Sequence, residues 1–428
     1  MNVPKRHLLD PEANAAFVIP AIALSFFVFA YSQLFGQVSI LAFYGCWLPA
    51  FIAAPGMLIW GAQRVLPLLV LPAVATLSVL WSDVTSGTLR GGIQYGTTVF
   101  CGLVAARLTS IPNLAAGGVI GGLLVLIYSA LNGSYAYDVV DGTYAFNGAF
   151  ASKNQLGYFA SLTLLFSFAV CFLYQASALW RAVAVAAAAL ALVLLQLSDS
   201  ATSMLSVMFS FGVILAGRVL IGLPPRLRNA AIFVLICGGL ALAAAALNLG
   251  AFDAVLGAFG KDTTLTGRTY LWQRGIEIGG EQPYLGLGYY AFWTPGRTAA
   301  EELWETFYIT GKTGFHFHNT LIEGYVGLGL LGVVLLGALT LALVIMAVLT
   351  VRRTTAPGTS LLCAALALLF VLRSAVEIDF FTPYTAGSFL VPFLLLNMAD
   401  RYAMDRSAGE EWPVIRLRRP ALLTAQGE

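Results

Sequence analysis

The feature that most constrains the fold is a long uncharged stretch near the start of the chain. Residues 13–63 contain no Asp, Glu, Lys or Arg. The hydrocarbon core of a bilayer takes about 20 apolar residues per helix, so this stretch predicts two membrane-spanning helices, near 15–34 and 38–59. Of all 428 residues, 59% are hydrophobic and only 10% are charged, whereas soluble domains carry roughly 25% charged residues. The sequence therefore predicts an integral membrane protein.

Further uncharged stretches raise the expected number of spans. One helix each is expected from ten of them: 65–82, 91–106, 108–137, 154–180, 182–198, 200–217, 229–252, 324–351, 354–372 and 380–399. We therefore expect an all-α polytopic membrane protein with about 12 transmembrane helices and a long periplasmic loop between helices 9 and 10. Its expected parts are a cytoplasmic N-terminus (1–14), helices 1–9 (15–248), the loop (249–317), helices 10–12 (318–400) and a cytoplasmic tail (401–428).

The distribution of positive charge predicts the orientation. If the N-terminus is cytoplasmic, 15 of the 23 Lys and Arg residues fall on the inner side and 8 on the outer side. The acidic residues run the other way, with 7 of 21 inside and 14 outside. Because inner loops of membrane proteins are enriched in Lys and Arg, this orientation and the number of spans support each other.

Composition argues against several partners and cofactors. The net charge is +2, and the longest basic cluster is Arg416, Arg418 and Arg419, which argues against nucleic acid as a partner. The five cysteines each lie alone in an apolar stretch, so we expect neither a disulfide framework nor a CxxC metal site. No Asp-x-Asp motif occurs. We expect no metal and no other cofactor.

The ionisable residues near the membrane gather at the predicted outer face. Charges at membrane depth are costly, and those that are present are commonly functional. The set is Asp83, Arg90, Lys153, Asp199, Arg268, His316, His318, Glu323, Arg373, Glu377 and Asp379. This one-sided distribution indicates a cavity open to the outer leaflet rather than an ion path across the membrane.

Three segments carry basic side chains toward such a cavity. Arg268 and Trp272 share a face of a short amphipathic helix, where the rigid guanidinium fork either grips a substrate phosphate or contacts lipid headgroups. Lys153, followed by Asn154, either neutralises a diphosphate or extends to the outer headgroups. Arg373 and Glu377 are spaced i, i+4, which predicts a mutual ion pair.

Uncharged polar residues stand near the same face. His316, His318 and Asn319 open a span, where a neutral imidazole can take a proton from a hydroxyl or the residues can cap the helix. Ser200 and Thr202 lie in a polar turn between two spans. Their hydroxyls either bind a sugar or satisfy helix ends.

Five motifs, in this order, resemble the O-antigen ligase and exopolysaccharide polymerase superfamily of bacterial inner-membrane glycosyltransferases. They are Trp81-Ser82-Asp83; Lys153-Asn154-Gln-Leu-Gly157; Ser200-Ala-Thr-Ser203; Gly267-Arg268-(x3)-Trp272 with Pro283-Tyr-Leu-Gly-Leu-Gly288; and His318-Asn319-(x3)-Glu323 followed by Gly329. The second and third motifs are more similar to the polymerase branch than to the ligases. Ligases typically carry an Arg where this chain has Thr202, the middle residue of Ala201-Thr202-Ser203.

The resemblance implies transfer of a glycan from an undecaprenyl diphosphate carrier to a hydroxyl of an acceptor sugar at the periplasmic face. It implies that His318 and Arg268 are catalytic, with His318 orienting or deprotonating the hydroxyl. Arg268, Lys153 and Arg373 would stabilise the diphosphate without a metal, and transfer would invert the anomeric centre. The remaining substrate-binding residues expected are Asn154, His316, Asn319, Glu323, Trp272, Ser200 and Thr202. Expected partners are the lipid-linked oligosaccharide, membrane lipids, a flippase and a chain-length regulator.

Other functions remain open at this point. A ligase that moves a finished glycan onto a lipid or protein acceptor shares the donor chemistry, and the sequence does not reveal the acceptor. A lipid-linked glycan flippase or solute transporter is less favoured, because transporters commonly have broken helices and ionisable groups at the membrane midplane. A metal-dependent glycosyltransferase would use Asp83 or the pair Glu377 and Asp379.

Overall fold

Apolar helices make up most of the chain in the computed structural model, which describes residues 6–59, 61–138, 142–248 and 267–409. Within these ranges, eight helices are long and apolar enough to cross a bilayer. The chain is therefore an all-α polytopic membrane protein, and the count of twelve spans stays a prediction. The predicted tail from residue 410, the loop residues 249–266 and the first five residues lie outside the described ranges.

The helices and strands are numbered here in chain order. They are α1 (Arg6–Leu9), α2 (Ala15–Ala53), α3 (Gly56–Ile59), α4 (Ala62–Leu77), α5 (Thr85–Leu108), α6 (Ile111–Asn132), β1 (Ser134–Asp138), β2 (Thr143–Gly148), α7 (Lys153–Phe168), α8 (Ala178–Ser198), α9 (Ala201–Gly222), α10 (Pro225–Asn248), α11 (Arg268–Glu281), α12 (Thr298–Thr306), α13 (Thr320–Arg352), α14 (Pro357–Ser374) and α15 (Ala386–Gly409). A short 3₁₀ turn (Ser78–Leu80) follows α4, and a π-helical turn (Ala169–Leu173) follows α7.

Helix α2 is two antiparallel halves joined at a sharp turn. Gly36 has φ +62°, inside the left-handed region that favours glycine. The Trp47 indole N–H donates to the Ser25 hydroxyl at 3.0 Å, although these residues would lie about 33 Å apart along a straight helix. The two halves occupy the region for which the uncharged stretch predicts two spans.

Glycines let α6 pack closely between α2 and α7. A Cβ at Gly117 would lie 2.6 Å from Ile22, and one at Gly118 would lie 2.4 Å from the Phe166 ring. A Cβ at Gly122 would meet the Thr163 hydroxyl at 2.1 Å. Small residues at such contacts allow membrane helices to approach each other closely. The glycine-rich sequence of α6 therefore forms the centre of the N-terminal half of the bundle.

Helix α13 also reverses near its start. Gly329 has φ +63°, and a Cβ there would lie 2.3 Å from the carbonyl carbon of Tyr284. The segment 283–288 pairs with this turn, because the Leu287 N–H donates to the Val326 carbonyl at 3.0 Å and the Leu330 N–H donates to Pro283 at 2.7 Å. Two of the sequence motifs therefore bind each other through their backbones and hold the loop that precedes α13.

A small antiparallel hairpin interrupts the helical pattern. Strands β1 and β2 pair with Tyr137 opposite Tyr144 and Ala136 opposite Ala145. The hairpin lies between α6 and α7, in a segment of the chain that the span analysis assigns to the outer side. Helix α7 follows it, with the Ser152 hydroxyl accepting from the Gln155 N–H at the helix start. The hairpin thus leads directly to Lys153 and Asn154.

Candidate functional site

The Glu377 carboxylate is the centre of a polar cluster at the end of α14. It is buried, in the loop between α14 and α15. The Arg268 guanidinium donates to its Oε1 through Nη2 at 2.9 Å and to the Val376 carbonyl through Nη1 at 2.8 Å. Arg268 is the first residue of α11, and Gly267 before it has φ +76°, so a glycine permits the turn that directs α11 toward the carboxylate.

Two imidazole rings lie next to the other carboxylate oxygen of Glu377. The His318 Nδ1 lies 3.3 Å from Oε2, and the His316 Nε2 lies 4.0 Å from the same atom. Because a carboxylate only accepts, the Nδ1 of neutral His318 carries the proton and donates. The Nε2 lone pair of His318 is then free to accept a proton, since no described residue bonds this atom.

The amide of Asn154 connects Glu377 to the start of α9. Its Nδ2 donates to Glu377 Oε1 at 2.9 Å, and its Oδ1 accepts from the Ser200 hydroxyl at 2.9 Å. The Ser200 hydroxyl also lies 3.0 Å from that of Ser203. Side chains from the starts of α7, α9 and α11 therefore meet at one carboxylate.

Arg373 has a different partner from the one its spacing predicts. Its guanidinium binds both carboxylate oxygens of Asp379, with Nη2 at 3.1 Å from Oδ1 and Nε on Oδ2. Nη1 donates to the Ser203 hydroxyl at 3.1 Å, and the guanidinium lies 4.3 Å over the Tyr158 ring. The expected ion pair with Glu377 is wrong. The Glu377 N–H still donates to the Arg373 carbonyl at 2.6 Å beyond the helix end at Ser374, but Asp379 takes the Arg373 guanidinium and the Glu377 carboxylate binds Arg268 instead.

The electrostatics of the cluster follow from burial and from these contacts. Burial raises the pKa of Glu377, but His318 and Arg268 outweigh it and hold the pKa well below its usual range. Burial and the neighbouring His318 lower the pKa of His316 well below its usual value, so His316 is neutral at pH 7. Burial raises the pKa of Asp379, opposed by Arg373.

Three side chains of the cluster are of the types that bind metal ions. Ligand atoms of His316, His318 and Glu377 lie within 4.8 Å of one another, and two histidines with one carboxylate can bind zinc. Histidines that bind a metal normally donate their second N–H to another group. Here His316 Nδ1 instead accepts from the His318 backbone N–H at 3.1 Å, and Arg268 occupies the same carboxylate. The arrangement favours a hydrogen-bonded network over a metal site.

The residues after His318 hold the loop that contains His316 and His318 against Glu377. Asn319 begins α13 by accepting from the Leu321 and Ile322 N–H groups, and its Nδ2 donates to the Ala375 carbonyl at 2.9 Å. The Thr320 hydroxyl donates to the Glu377 carbonyl at 2.7 Å. Glu323 accepts from the Phe317 N–H at 2.9 Å and from the Trp293 indole at 3.2 Å. Asn319 and Glu323 thus position the loop.

A family model and a known protein both match this chain. A family model described as O-Antigen ligase matches residues 186–337. The Exopolysaccharide production protein ExoQ of Rhizobium meliloti (strain 1021) is 46% identical over 403 residues, which cover 92% of this chain and 90% of that protein. The chain belongs to the O-antigen ligase and exopolysaccharide polymerase superfamily. The resemblance that the five motifs predict is confirmed.

Not every residue expected to bind substrate in a superfamily member joins the cluster. Trp272 lies one turn after Arg268, and its buried indole N–H has no hydrogen-bond partner. Thr202 has no described side-chain contact with the cluster. Lys153 is buried at the first residue of α7, beside Asn154. The roles of these three residues stay predictions.

The sequence does not predict three residues that complete the cluster as site residues of the favoured function: Glu377, Asp379 and Ser203. It predicts Glu377 only as the partner of Arg373, and Glu377 with Asp379 only as the acids of a metal-dependent alternative. The available signal was the pair Glu377-Ile-Asp379 in a short loop between two apolar helices, where charges are costly. Ser203 is the last residue of the third motif, but the resemblance predicts Thr202 of that motif as the site residue. Ser203 lies one turn after Ser200, so their side chains share a face of α9.

Proposed function

We propose that this chain polymerises lipid-linked oligosaccharide repeat units into an exopolysaccharide or O-antigen-type polymer at the periplasmic face of the bacterial inner membrane. The family supports this, and so does the name of the ExoQ relative, an exopolysaccharide production protein. The observation that carries the proposal is the shared carboxylate of Glu377, which binds Arg268 through one oxygen and His318 through the other.

The proposed reaction is a single displacement at the anomeric carbon. The acceptor hydroxyl oxygen forms a bond to this carbon as the bond to the diphosphate oxygen breaks, so the configuration inverts. His318 Nε2 takes the hydroxyl proton, and undecaprenyl diphosphate leaves with the bonding electron pair. General bases of this kind typically contribute about 10²–10⁴-fold to the rate. Glu377 holds the His318 ring and stabilises its positive charge after proton transfer.

Arg268 and Lys153 are the proposed ligands of the diphosphate. Two described hydrogen bonds engage Arg268, which leaves three of its five N–H groups for phosphate oxygens. Lys153 directly precedes Asn154 of the cluster on α7. We propose that its ammonium adds a positive charge beside the pairs that Arg268 and Arg373 form with Glu377 and Asp379, and this net positive charge suits an anion. Arg373 is bound on several sides by Asp379, Ser203 and Tyr158, so we assign it to holding the loop between α14 and α15. Fixed cations then stabilise the leaving group without a metal.

The polymerase and the ligase differ in their products. The experiment uses the purified protein in detergent with a lipid-linked oligosaccharide as donor, with and without a metal chelator. We expect a ladder of polymer lengths that the chelator does not change. A single transfer onto a different lipid or protein acceptor would favour the ligase, and loss of activity on chelation would contradict the metal-free mechanism.

We also propose that the chain crosses the membrane twelve times. Twelve spans would put both termini in the cytoplasm and the cluster at the outer face, where a lipid-linked donor becomes accessible after a flippase moves it across the membrane. A chain-length regulator is a further expected partner. Cysteine labelling from outside the cell at position 302, on the exposed surface of α12, tests the orientation. Labelling only in permeabilised cells would contradict it.

A further inference from the structure

We propose that the tyrosine face of the β1–β2 hairpin is a binding site for the glycan chain of the acceptor or product. This inference rests on the proposed function and adds a substrate subsite to it. The tyrosine face is defined by Tyr135, Tyr137 and Tyr144. Because alternate residues of a strand point to the same side and directly opposed residues share a face, the register of the hairpin brings the three rings together.

The three rings form an exposed platform. The Tyr135 and Tyr144 rings stack with centroids 5.4 Å apart and planes 14° apart. Tyr135, Tyr137 and Tyr144 are 49%, 60% and 69% exposed, whereas Ala145 on the opposite face is 2% exposed. Phe146, opposite Tyr135 on the tyrosine face, is 8% exposed, and its ring centroid lies 5.1 Å from that of Tyr135. The hairpin therefore buries Ala145 and Phe146 but leaves the three tyrosine rings uncovered, which stability alone does not favour.

The chemistry of this platform suits a carbohydrate. A pyranose ring has a face of C–H groups that stacks on an aromatic ring and a rim of hydroxyls that hydrogen-bond. Tyrosine offers both an apolar ring and a polar hydroxyl. From residue 132 to residue 152 the sequence contains no Lys or Arg and has two acids, Asp138 and Asp141. Anionic lipid headgroups attract basic segments, so the charge favours a glycan over a membrane surface.

The tyrosine face is connected to the candidate site. Strand β2 ends at Gly148, five residues before Lys153, and the Ala149 N–H donates to the Ser129 hydroxyl at 3.2 Å. Tyr144 precedes Asn154 of the cluster by ten residues, and a chain of ten residues spans at most about 36 Å. The platform is therefore within the length of an oligosaccharide from the cluster. A glycan that leaves the cluster can stay bound while the next repeat unit is added.

The test measures glycan binding apart from catalysis. Oligosaccharides from partial hydrolysis of the producing cell's own extracellular polysaccharide are titrated into full-length protein carrying His318→Gly. We expect the added triple change of all three tyrosines to Ala to weaken binding at least tenfold. The matched change to Phe, which keeps the rings, should weaken it less than threefold. If the triple variant does not fold, the single variant Tyr137→Ala replaces it in the titration. We expect this single change to weaken glycan binding measurably.

Polymer length provides the second measurement, with His318 intact. We expect the triple Ala variant to make shorter chains while the first transfer keeps its rate. Unchanged glycan affinity in the triple Ala or the Tyr137→Ala variant would overturn the proposal. So would a loss confined to binding of phosphatidylglycerol vesicles, which would indicate a membrane contact. If glycan binding is lost as expected but His318 proves dispensable for transfer, the proposed mechanism fails and the binding site stands.

Discussion

His318 Nδ1 lies 3.3 Å from Glu377 Oε2, and this contact determines which nitrogen of the imidazole is available for chemistry. The second oxygen of the same carboxylate binds Arg268. One buried acid thus aligns a proton acceptor with a cation. Substitutions of Glu377, of Arg268 and of the residues that hold them in place test this arrangement.

Glu377→Gln should reduce kcat while leaving KM nearly unchanged. Gln keeps the size of the side chain but removes the charge that stabilises the protonated imidazole. Replacing the carboxylate behind a general-base histidine by its amide costs about 10⁴-fold in kcat in the serine-protease triad, and we expect a loss of about 10²–10⁴-fold. Glu302→Gln, on the exposed surface of α12, is the matched control and should transfer at the normal rate. A normal kcat in Glu377→Gln would remove Glu377 from the mechanism.

Arg268→Ala should lower kcat/KM by about 10²–10³, the usual cost of losing a fixed group that stabilises developing charge. Arg268→Lys should recover only part of this, because an ammonium lacks the guanidinium fork. Arg274→Ala is the control on the same helix, since Arg274 pairs with Glu277 at the surface. Equal rates for the Arg268 and Arg274 variants would contradict the assignment.

Asp379→Asn should destabilise the protein because it leaves Arg373 buried without a counter-charge. Breaking one partner of a buried ion pair typically costs about 3–5 kcal/mol. Asp83→Asn breaks an exposed pair with Arg297, and such pairs contribute about 0–1 kcal/mol. In detergent, the unfolding temperature of Asp379→Asn should therefore be clearly lower than that of Asp83→Asn. Similar unfolding temperatures for both would show that the Arg373 pair does not hold the loop.

Gly329→Ala should lower the yield of folded protein. Alanine would have to adopt φ +63°, and its Cβ would collide with the backbone of Tyr284. Gly337, later in α13, has open space around its Cα, so Gly337→Ala is expected to be neutral or slightly stabilising. The measurement is the monodisperse fraction after detergent extraction. Normal recovery of the Gly329 variant would argue against a rigid turn there.

Acid should destabilise the protein in part through His316. Its pKa in the folded protein is below the unfolded value of about 6.5, so the unfolded state binds more protons as the pH falls through 6.5. Stability is therefore lost below that pH. Unfolding temperatures at pH 7 and pH 5 should differ less in His316→Asn than in the unmodified protein. An equal difference in both would indicate that His316 does not contribute.

Sequence reasoning located the cluster better than it described the contacts within it. Uncharged stretches indicate where apolar helices form, and the motifs placed Arg268, His318 and Asn154 among the residues of interest. The pairing of Arg373 was missed because it depends on where α14 ends, and a periodic pattern does not mark that residue. The hairpin also has a signal in the sequence: Tyr-Ala-Tyr and Tyr-Ala-Phe flank an Asp-Gly pair, and this pair is typical of hairpin turns.

The most direct test of the central claim is single-turnover glycosyl transfer by His318→Gly, with and without added imidazole. Glycine suits the site because His318 has φ +50°. We expect transfer to fall by about 10²-fold or more, and imidazole to restore part of it with a pH dependence that follows the added base. Transfer at the unmodified rate in His318→Gly would contradict the account, as would a loss in folded protein that imidazole leaves unchanged.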